Sequence, residues 1–346
     1  MNKQMKIGII IVSYNKKDLL ENCLKSLEKV SYANFETLVV DNGSSDGSWE
    51  MASEKFPQVS WLPMGHNSGF CKANNVGIKK AWELGCEAIL LLNNDTEVEP
   101  DFLTAMVGEL NQTEKIGMVA AQIPFLKRKN VLDSCGLVIT PDGLAKNRGF
   151  EQAVELFGER AEVFCPAGAA ALYTKELLED VQEDGQYLDE TFGFYFEELD
   201  LGWRARLRGW KCSYAPRAVV YHLKSATAGA YSEFVAFHTN RNIFFIMLKN
   251  YQGIFFLRAL TLTFLRYVFL LAGIFQAKGP AGKIHKQIGP FKMLRACGKG
   301  WLDVFRQLPA MLKKRRLIKK NTVVSKAETA SWFLKFGISF LDSIYQ

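Results

Sequence analysis

The first hundred residues repeat one pattern that few folds can accommodate. Short runs that are apolar throughout alternate with segments whose apolar residues recur every three or four positions. Residues 6–13 (KIGIIIVS), 35–41 (FETLVVD) and 88–92 (AILLL) form such runs, with a weaker one at 59–63. A strand without polar alternation is buried on both faces, as in a parallel sheet covered by helices on each side. The intervening segments meet that need. Residues 16–30 place Leu19, Leu20, Cys23, Leu24 and Leu27 on one helical face, and further helices are predicted from Trp49 and over residues 73–84. The expected class is α/β, with a Rossmann-like, mostly parallel sheet.

Ligands on such sheets bind beyond the carboxyl ends of the strands. Three polar turns fall there: Ser13-Tyr14-Asn15, the turn running from Asp41 to Ser48, and Asn93-Asn94-Asp95. Oxygen groups after a buried strand suit a hard divalent cation, Mg2+ or Mn2+, that keeps water or substrate phosphate in its shell. Asp95 is therefore a candidate metal ligand. The competing reading is that Asn94 and Asp95 only cap the helix before Pro100. The turn at 41–48 reads equally as a ligand contact or an ordinary turn. In residues 67–75, Gly69 would permit close backbone approach, while Asn67, Asn74 and Asn75 offer neutral hydrogen bonds; a purely structural loop is the alternative.

An acidic run follows at 196–201 (FEELDL). On a helix, Asp200 and Arg204 are i,i+4 neighbours and form a candidate ion pair. Glu197 and Glu198 point elsewhere. Their aromatic setting, with Phe192, Phe194, Tyr195, Phe196 and Trp203, should raise a carboxyl pKa and favour a general base. The plainer reading is an acidic helix start placed by the helix dipole. His222 closes a strand-like segment, residues 218–221, and by itself is more often structural than a ligand.

Taken in order, the strings IVSYN (11–15), VVDNGSSDGS (39–48), NSGFCKANNVGI (67–78), LLNNDTEVEPDFL (91–103), FEELDLGWRAR (196–206) and VVYH (219–222) resemble the family 2 inverting glycosyltransferases of GT-A fold, closest to the bacterial rhamnosyltransferase-like branch. Each string is weak alone, and six in the family's order are specific. The resemblance implies that Ser13, Tyr14 and Asp41 hold the base and ribose of a nucleotide-sugar donor. It implies that Asn67, Gly69 and Asn74 line the nucleotide pocket, with Asn94 beside them. Asp95 fills the last place of the family's metal motif, with Mg2+ or Mn2+ as the expected cofactor. Asn93 stands where the motif's first acid would be. His222 is the implied partner of Asp95 on the metal or diphosphate, and Glu198 matches the base, more often an Asp. Gly168, Glu197, Asp200, Trp203 and Arg204 are the implied acceptor-side and supporting positions. L-rhamnose from dTDP-L-rhamnose is the branch's implied donor sugar, with UDP-linked galactose, glucose or N-acetylhexosamine as alternatives. The implied acceptor is a hydroxyl of a glycan or of a polyprenyl-diphosphate-linked glycan in cell-surface polysaccharide synthesis.

Charge divides the chain. From Arg241 onward there are 19 Lys and Arg against 3 Asp and Glu, a net +16, while the preceding residues carry 24 basic and 33 acidic groups, a net −9. An acidic body joined to a basic tail suggests a catalytic part and a segment for an anionic surface. The expected division is a catalytic domain over 1–235 and a helical, basic and aromatic region over 236–346. Residues 254–275 are long enough to span a bilayer, but Arg258 and Arg266 make a clean span costly. An amphipathic segment lying on an anionic membrane is the preferred reading, backed by the basic residues 313–320, with packing inside the chain or a homo-oligomer as the alternative. Seven cysteines without a CxxC pair suggest reduced thiols, and the short polar start suggests no signal peptide. The expected place is the cytoplasm, peripheral on the inner face of the cell membrane. Nucleic acid is not an expected partner, because the acidic front clusters would have no role. A nucleotidyltransferase would carry a glycine-rich phosphate loop after the first strand, where Ser13-Tyr14-Asn15 stands instead. A catalytically silent scaffold is opposed by Glu198 and His222.

Overall fold

The structure is a computed structural model that describes residues 4–224, 232–276 and 289–345. Residues 277–288, rich in Gly, Pro and Lys, lie outside the described residues. Two compact units emerge, and they do not follow a single cut. One holds Met1–Leu137, Asn147–Gly193 and Gly209–Lys224; the other holds Val138–Lys146, Phe194–Arg208 and Ser225–Gln346. The acidic run at 196–201 thus belongs with the C-terminal helices.

The first unit is built on the predicted sheet. Strands β1 (Ile7–Ser13), β2 (Phe35–Asp41), β3 (Ser60–Pro63) and β4 (Ala88–Leu92) run parallel in the order β3-β2-β1-β4. Beyond β4 the sheet becomes mixed. β11 (Ala170–Thr174) runs antiparallel between β4 and β6 (Ile116–Phe125), and β12 (Lys211–His222) lies parallel to β6. β10 (Ala161–Val163) closes that edge. Two side strands branch off: β5 (Thr96–Val98) pairs with β12, and β7 (Arg128–Ser134) pairs with β6. Every residue of β4 is buried, as its unbroken apolar run requires.

Helix α1 (Lys17–Leu27) buries the predicted stripe Leu20, Cys23, Leu24 and Leu27. Helices α2 (Ser48–Lys55), α4 (Phe102–Val107) and α5 (Lys175–Val181) complete the unit together with α3 (Phe70–Glu83), which starts three residues earlier than its periodicity suggests. The reason for the close seating of α3 is Gly77. A Cβ there would come within 2.5 Å of Ile10 Cγ2, so the helix backbone rests directly on β1. All seven cysteines are buried and free of disulfides, and burial pushes the Cys23 thiol up to about 12. They are inert core residues.

The second unit is helical. It contains α6 (Glu197–Leu207), α7 (Glu233–Asn250), α8 (Ile254–Gln276), α9 (Pro290–Asn321), α10 (Lys326–Lys335) and α11 (Phe340–Tyr345). Most of the ribbon formed by β8 (Leu137–Ile139) and β9 (Ala145–Asn147) belongs to it as well. Trp203 of α6 anchors the core, with its ring 4.8 Å from Tyr251 and 5.8 Å from Trp332. α7 packs along α9. Arg266, one of the two arginines inside the apolar run, pairs with the fully buried Asp142 of the β8–β9 ribbon and bonds Ser343. No described helix is long and apolar enough to cross a membrane. From the basic stretch at 313–320, Arg315 donates to the carbonyl of Leu248 at 2.8 Å, where a cation offsets the negative end of α7.

Candidate active site

Asp95 does not cap a helix. β5 begins one residue later, and α4 starts only at Phe102 with Asp101 in the capping position. The capping alternative is thereby removed, and the carboxylate needs another explanation. Register supplies it. β5 and β12 pair antiparallel with His222 opposite Thr96, and the Leu223 amide donates to the Asp95 carbonyl at 3.0 Å. This ladder brings His222 Nε2 to 3.2 Å from Asp95 Oδ1. The other ring nitrogen, Nδ1, lies 2.7 Å from Asp133 Oδ2 on β7. Asp133 Oδ1 in turn accepts from Lys224 at 2.7 Å and from Asn147 at 3.3 Å.

Asp95, His222 and Asp133 are all buried. Burial works against a charged imidazole, but Asp133 and Asp95 overcome it and raise His222 to about 9. Burial would likewise raise Asp133, but the bonds from His222 and Lys224 hold it below its ordinary value. A carboxylate behind one imidazole nitrogen, with the other nitrogen beside a second carboxylate, is the arrangement that orients a metal-binding histidine. Among the described residues, Asp95 and His222 do not belong to any cluster of three or more acidic, thiol or imidazole ligand atoms. An ion here would complete its shell with water or substrate oxygens, as Mg2+ and Mn2+ do. The donor set fits such a hard cation bound together with a diphosphate.

The other strand ends are laced to the same edge. Ser13 is fully buried, and its hydroxyl accepts from Asn94 at 3.3 Å. Asp41 accepts the amide of Ser44, and Asn15 Oδ1 accepts that of Ser45 at 2.8 Å, tying the first two polar turns together. Tyr14 is exposed at 38%, so its ring is available to stack on a flat ligand. Asn42, which the sequence did not single out, accepts from the amide of Ser68 at 2.8 Å and donates to Asn67 Oδ1 at 3.0 Å. It fixes the loop that carries Asn67 and Gly69. Gly69 lies at φ 90°, where a side chain would be strained. Asn74 is turned into its own helix and donates to the Phe70 carbonyl. Asn75 is buried and pins the backbone of Tyr187 and Leu188. Gly168 lies on the turn into β11, next to Ala169, whose carbonyl accepts the Asn93 amide at 3.0 Å.

The second unit carries the acidic run, and it is built differently. α6 starts at Glu197, so both glutamates stand in its first turn near the positive end of the dipole. Tyr195 and Phe196, just before it, have φ of 66° and 70°. Two bulky residues in the left-handed region cost on the order of 1–3 kcal/mol each. The carboxamide of Asn242 on α7 meets this corner and donates to the carbonyls of Phe194 and Tyr195, each at 2.8 Å.

Glu197 is buried, and among the described residues no hydrogen-bond partner meets its Oε2. Burial first, and then the charge of Glu198, push its carboxyl well above the ordinary range. Burial therefore disfavours the charged form of Glu197. Glu198 is half-buried and the more accessible of the pair. The predicted ion pair is present: Arg204 Nε lies 2.9 Å from Asp200. Lys249, itself fully buried, and Asn250 also bond Asp200, at 2.8 and 2.9 Å. Trp203 and Arg204 are buried within this unit and support the helix rather than present themselves to a ligand.

The chain is similar to known proteins in both sequence and fold. The sequence model described as glycosyl transferase family 2 matches residues 8–182, half of the chain. The chain is 25% identical over 270 residues to N-acetylglucosaminyl-diphospho-decaprenol L-rhamnosyltransferase of Mycobacterium tuberculosis, covering 69% of this chain and 83% of that protein. It is 24% identical over 225 residues to poly-beta-1,6-N-acetyl-D-glucosamine synthase of Staphylococcus epidermidis, covering 64% of this chain and only 51% of the synthase. Among solved structures, S. aureus TarS superposes with a TM-score of 0.54 at 17% identity, over 96% of this chain and 55% of that one. GalNAc-T7, solved with UDP, GalNAc and Mn2+, superposes at 0.58 and 14% identity, over 72% of this chain and 48% of that one. These likenesses establish a GT-A fold with helices appended at the C-terminus. The chain is a glycosyltransferase and belongs to glycosyl transferase family 2.

Proposed function

We propose that this chain transfers L-rhamnose from dTDP-L-rhamnose to a hydroxyl of a glycan carried on a polyprenyl diphosphate. The observation that carries the reading is the Asp95–His222–Asp133 chain at the strand ends. Asp95 and His222 would hold Mg2+ or Mn2+, with Asp133 orienting the imidazole. A cation held there would offset charge on the departing nucleotide. Ser13, Tyr14, Asp41 and Asn94 bind the nucleoside end, and the loop with Asn67 and Gly69 borders it. Glu198 takes the proton from the acceptor hydroxyl, whose oxygen then attacks the anomeric carbon opposite the nucleotide and inverts it. The name of the mycobacterial relative, which couples L-rhamnose with a diphospho-decaprenol acceptor, supports the choice of sugar and acceptor.

Such an acceptor lies at a membrane, and the C-terminal helices suit its surface. Ile254, Leu257 and Phe264 on α8 and Phe291, Leu302 and Phe305 on α9 are exposed, and Lys313, Arg316, Lys319 and Lys320 are exposed on α9. Apolar and basic side chains together favour peripheral binding to the anionic inner face of the cell membrane. Co-sedimentation with anionic vesicles at low salt tests this, and protein that stays in the supernatant refutes it. The catalytic reading is tested by thermal shift against a panel of nucleotide sugars with Mg2+ or Mn2+. dTDP-L-rhamnose is expected to stabilise most; a UDP-hexose stabilising more would replace the sugar assignment.

A further inference from the structure

We infer that Asn242 is a positioning residue that holds the first turn of the acidic helix, and so Glu198, in its working place. The inference rests on the base role proposed for Glu198. Asn242 is fully buried in the middle of α7, where an asparagine has no intrinsic reason to be. Its carboxamide is completely used. Both amide hydrogens go to successive carbonyls, Phe194 and Tyr195, and its Oδ1 accepts from Arg241 Nε at 2.9 Å. Arg241 is itself tied to Asp303 of α9 at 3.0 Å and lies 3.3 Å from His238 Nδ1. An acceptor demand from Arg241 and a donor demand from two carbonyls leave the amide one orientation.

The carbonyls it grips lead into the left-handed pair, Tyr195 and Phe196, that immediately precedes Glu197 and Glu198. The next backbone bond, from the Asp200 amide to the Phe196 carbonyl at 2.9 Å, opens the helix itself. The direction in which α6 leaves the corner, and with it the place of Glu198, is therefore set by a side chain far along the sequence. Asn242 touches neither donor nor acceptor in this account; it acts through the backbone.

The test is Asn242→Asp, which keeps the size and the acceptor for Arg241 but removes both donors. Two readouts are taken. Hydrogen exchange of the peptide covering residues 194–200 is expected to speed up at least tenfold, with the strands of the first unit unchanged. Turnover of dTDP-L-rhamnose is expected to fall at least tenfold in kcat, with donor KM within twofold. Adding Phe196→Gly, which accepts the left-handed conformation without a clamp, is expected to restore part of both. Unchanged exchange in Asn242→Asp overturns the inference whatever the enzyme's substrate. Faster exchange with unchanged kcat overturns the link to Glu198. If the unmodified protein turns over no nucleotide sugar, the proposed function fails, and the exchange result still decides the clamp. Should Asn242→Asp not fold, Asn242→Leu, which is close in size and carries neither donor, is measured the same way, and exchange and kcat like those of the unmodified protein then count against the inference.

Discussion

The two sets of acids in this chain are held by opposite means. In the first unit, Asp95, His222 and Asp133 stand on or beside strands, and ladder register alone brings them together. In the second, Glu197 and Glu198 follow a strained left-handed corner clamped by a helix far away in sequence. A group fixed by a ladder shares its position with many backbone bonds. One fixed by a corner depends on a few side chains. The metal side of the proposed chemistry should therefore tolerate distant changes, and the base side should not.

The largest effect that tests this contrast is expected from Glu198→Gln. Removal of a general base typically costs about 10²–10⁴ in rate. The variant should lose transfer, measured as single-turnover product formation, while donor-induced thermal stabilisation is unchanged. Retained turnover would take Glu198 out of the base role. Next is Asp200→Ala, which removes the buried carboxylate that Arg204, Lys249 and Asn250 share. Breaking a buried pair in this way costs about 3–5 kcal/mol, to be read from urea unfolding. A loss below about 1 kcal/mol, the range of exposed pairs, would show that the acidic helix does not depend on this cluster.

Asp133→Asn should be milder, because the ladder still places His222. Loss of such an orienting carboxylate typically weakens metal binding by about 10–100-fold, measurable by titrating Mn2+ in the presence of donor. The smallest effect concerns pH in the metal-free protein. His222, raised from its ordinary 6.5 to about 9, contributes stability that is full below 6.5 and lost as pH rises through 9. Asp133, lowered from its ordinary 3.8, contributes above that value and loses it as pH falls. Their joint contribution should be level between about 4 and 6.5. An NMR titration placing His222 near 6.5 would contradict the arrangement.

The same contrast explains what could be read from the sequence. Strand ends were legible because an unbroken apolar run such as AILLL marks both its burial and where it stops, so Ser13, Asp41 and Asp95 fall at one sheet edge. Asp133 was not legible. It lies 89 residues from His222, on a side strand without alternation, and nothing local distinguishes it. Asn42 was hidden inside a turn that any Asn-Gly could form. Asn242 gave a weak signal only, a polar amide in the apolar run of α7. The i,i+4 pair of Asp200 and Arg204 was visible, but not Lys249 and Asn250, which reach Asp200 from another helix. Local spacing reveals local pairs, and long-range side-chain contacts leave no trace in it.

The central claim is that Asp95 with His222 holds a divalent cation against the donor diphosphate. Thermal shift of the full chain with dTDP-L-rhamnose, with Mn2+ or with EDTA, in the unmodified protein and in Asp95→Ala, tests it most directly. Stabilisation should appear only with Mn2+ and should vanish in Asp95→Ala. An equal shift in EDTA, or an undiminished shift in Asp95→Ala, would contradict it.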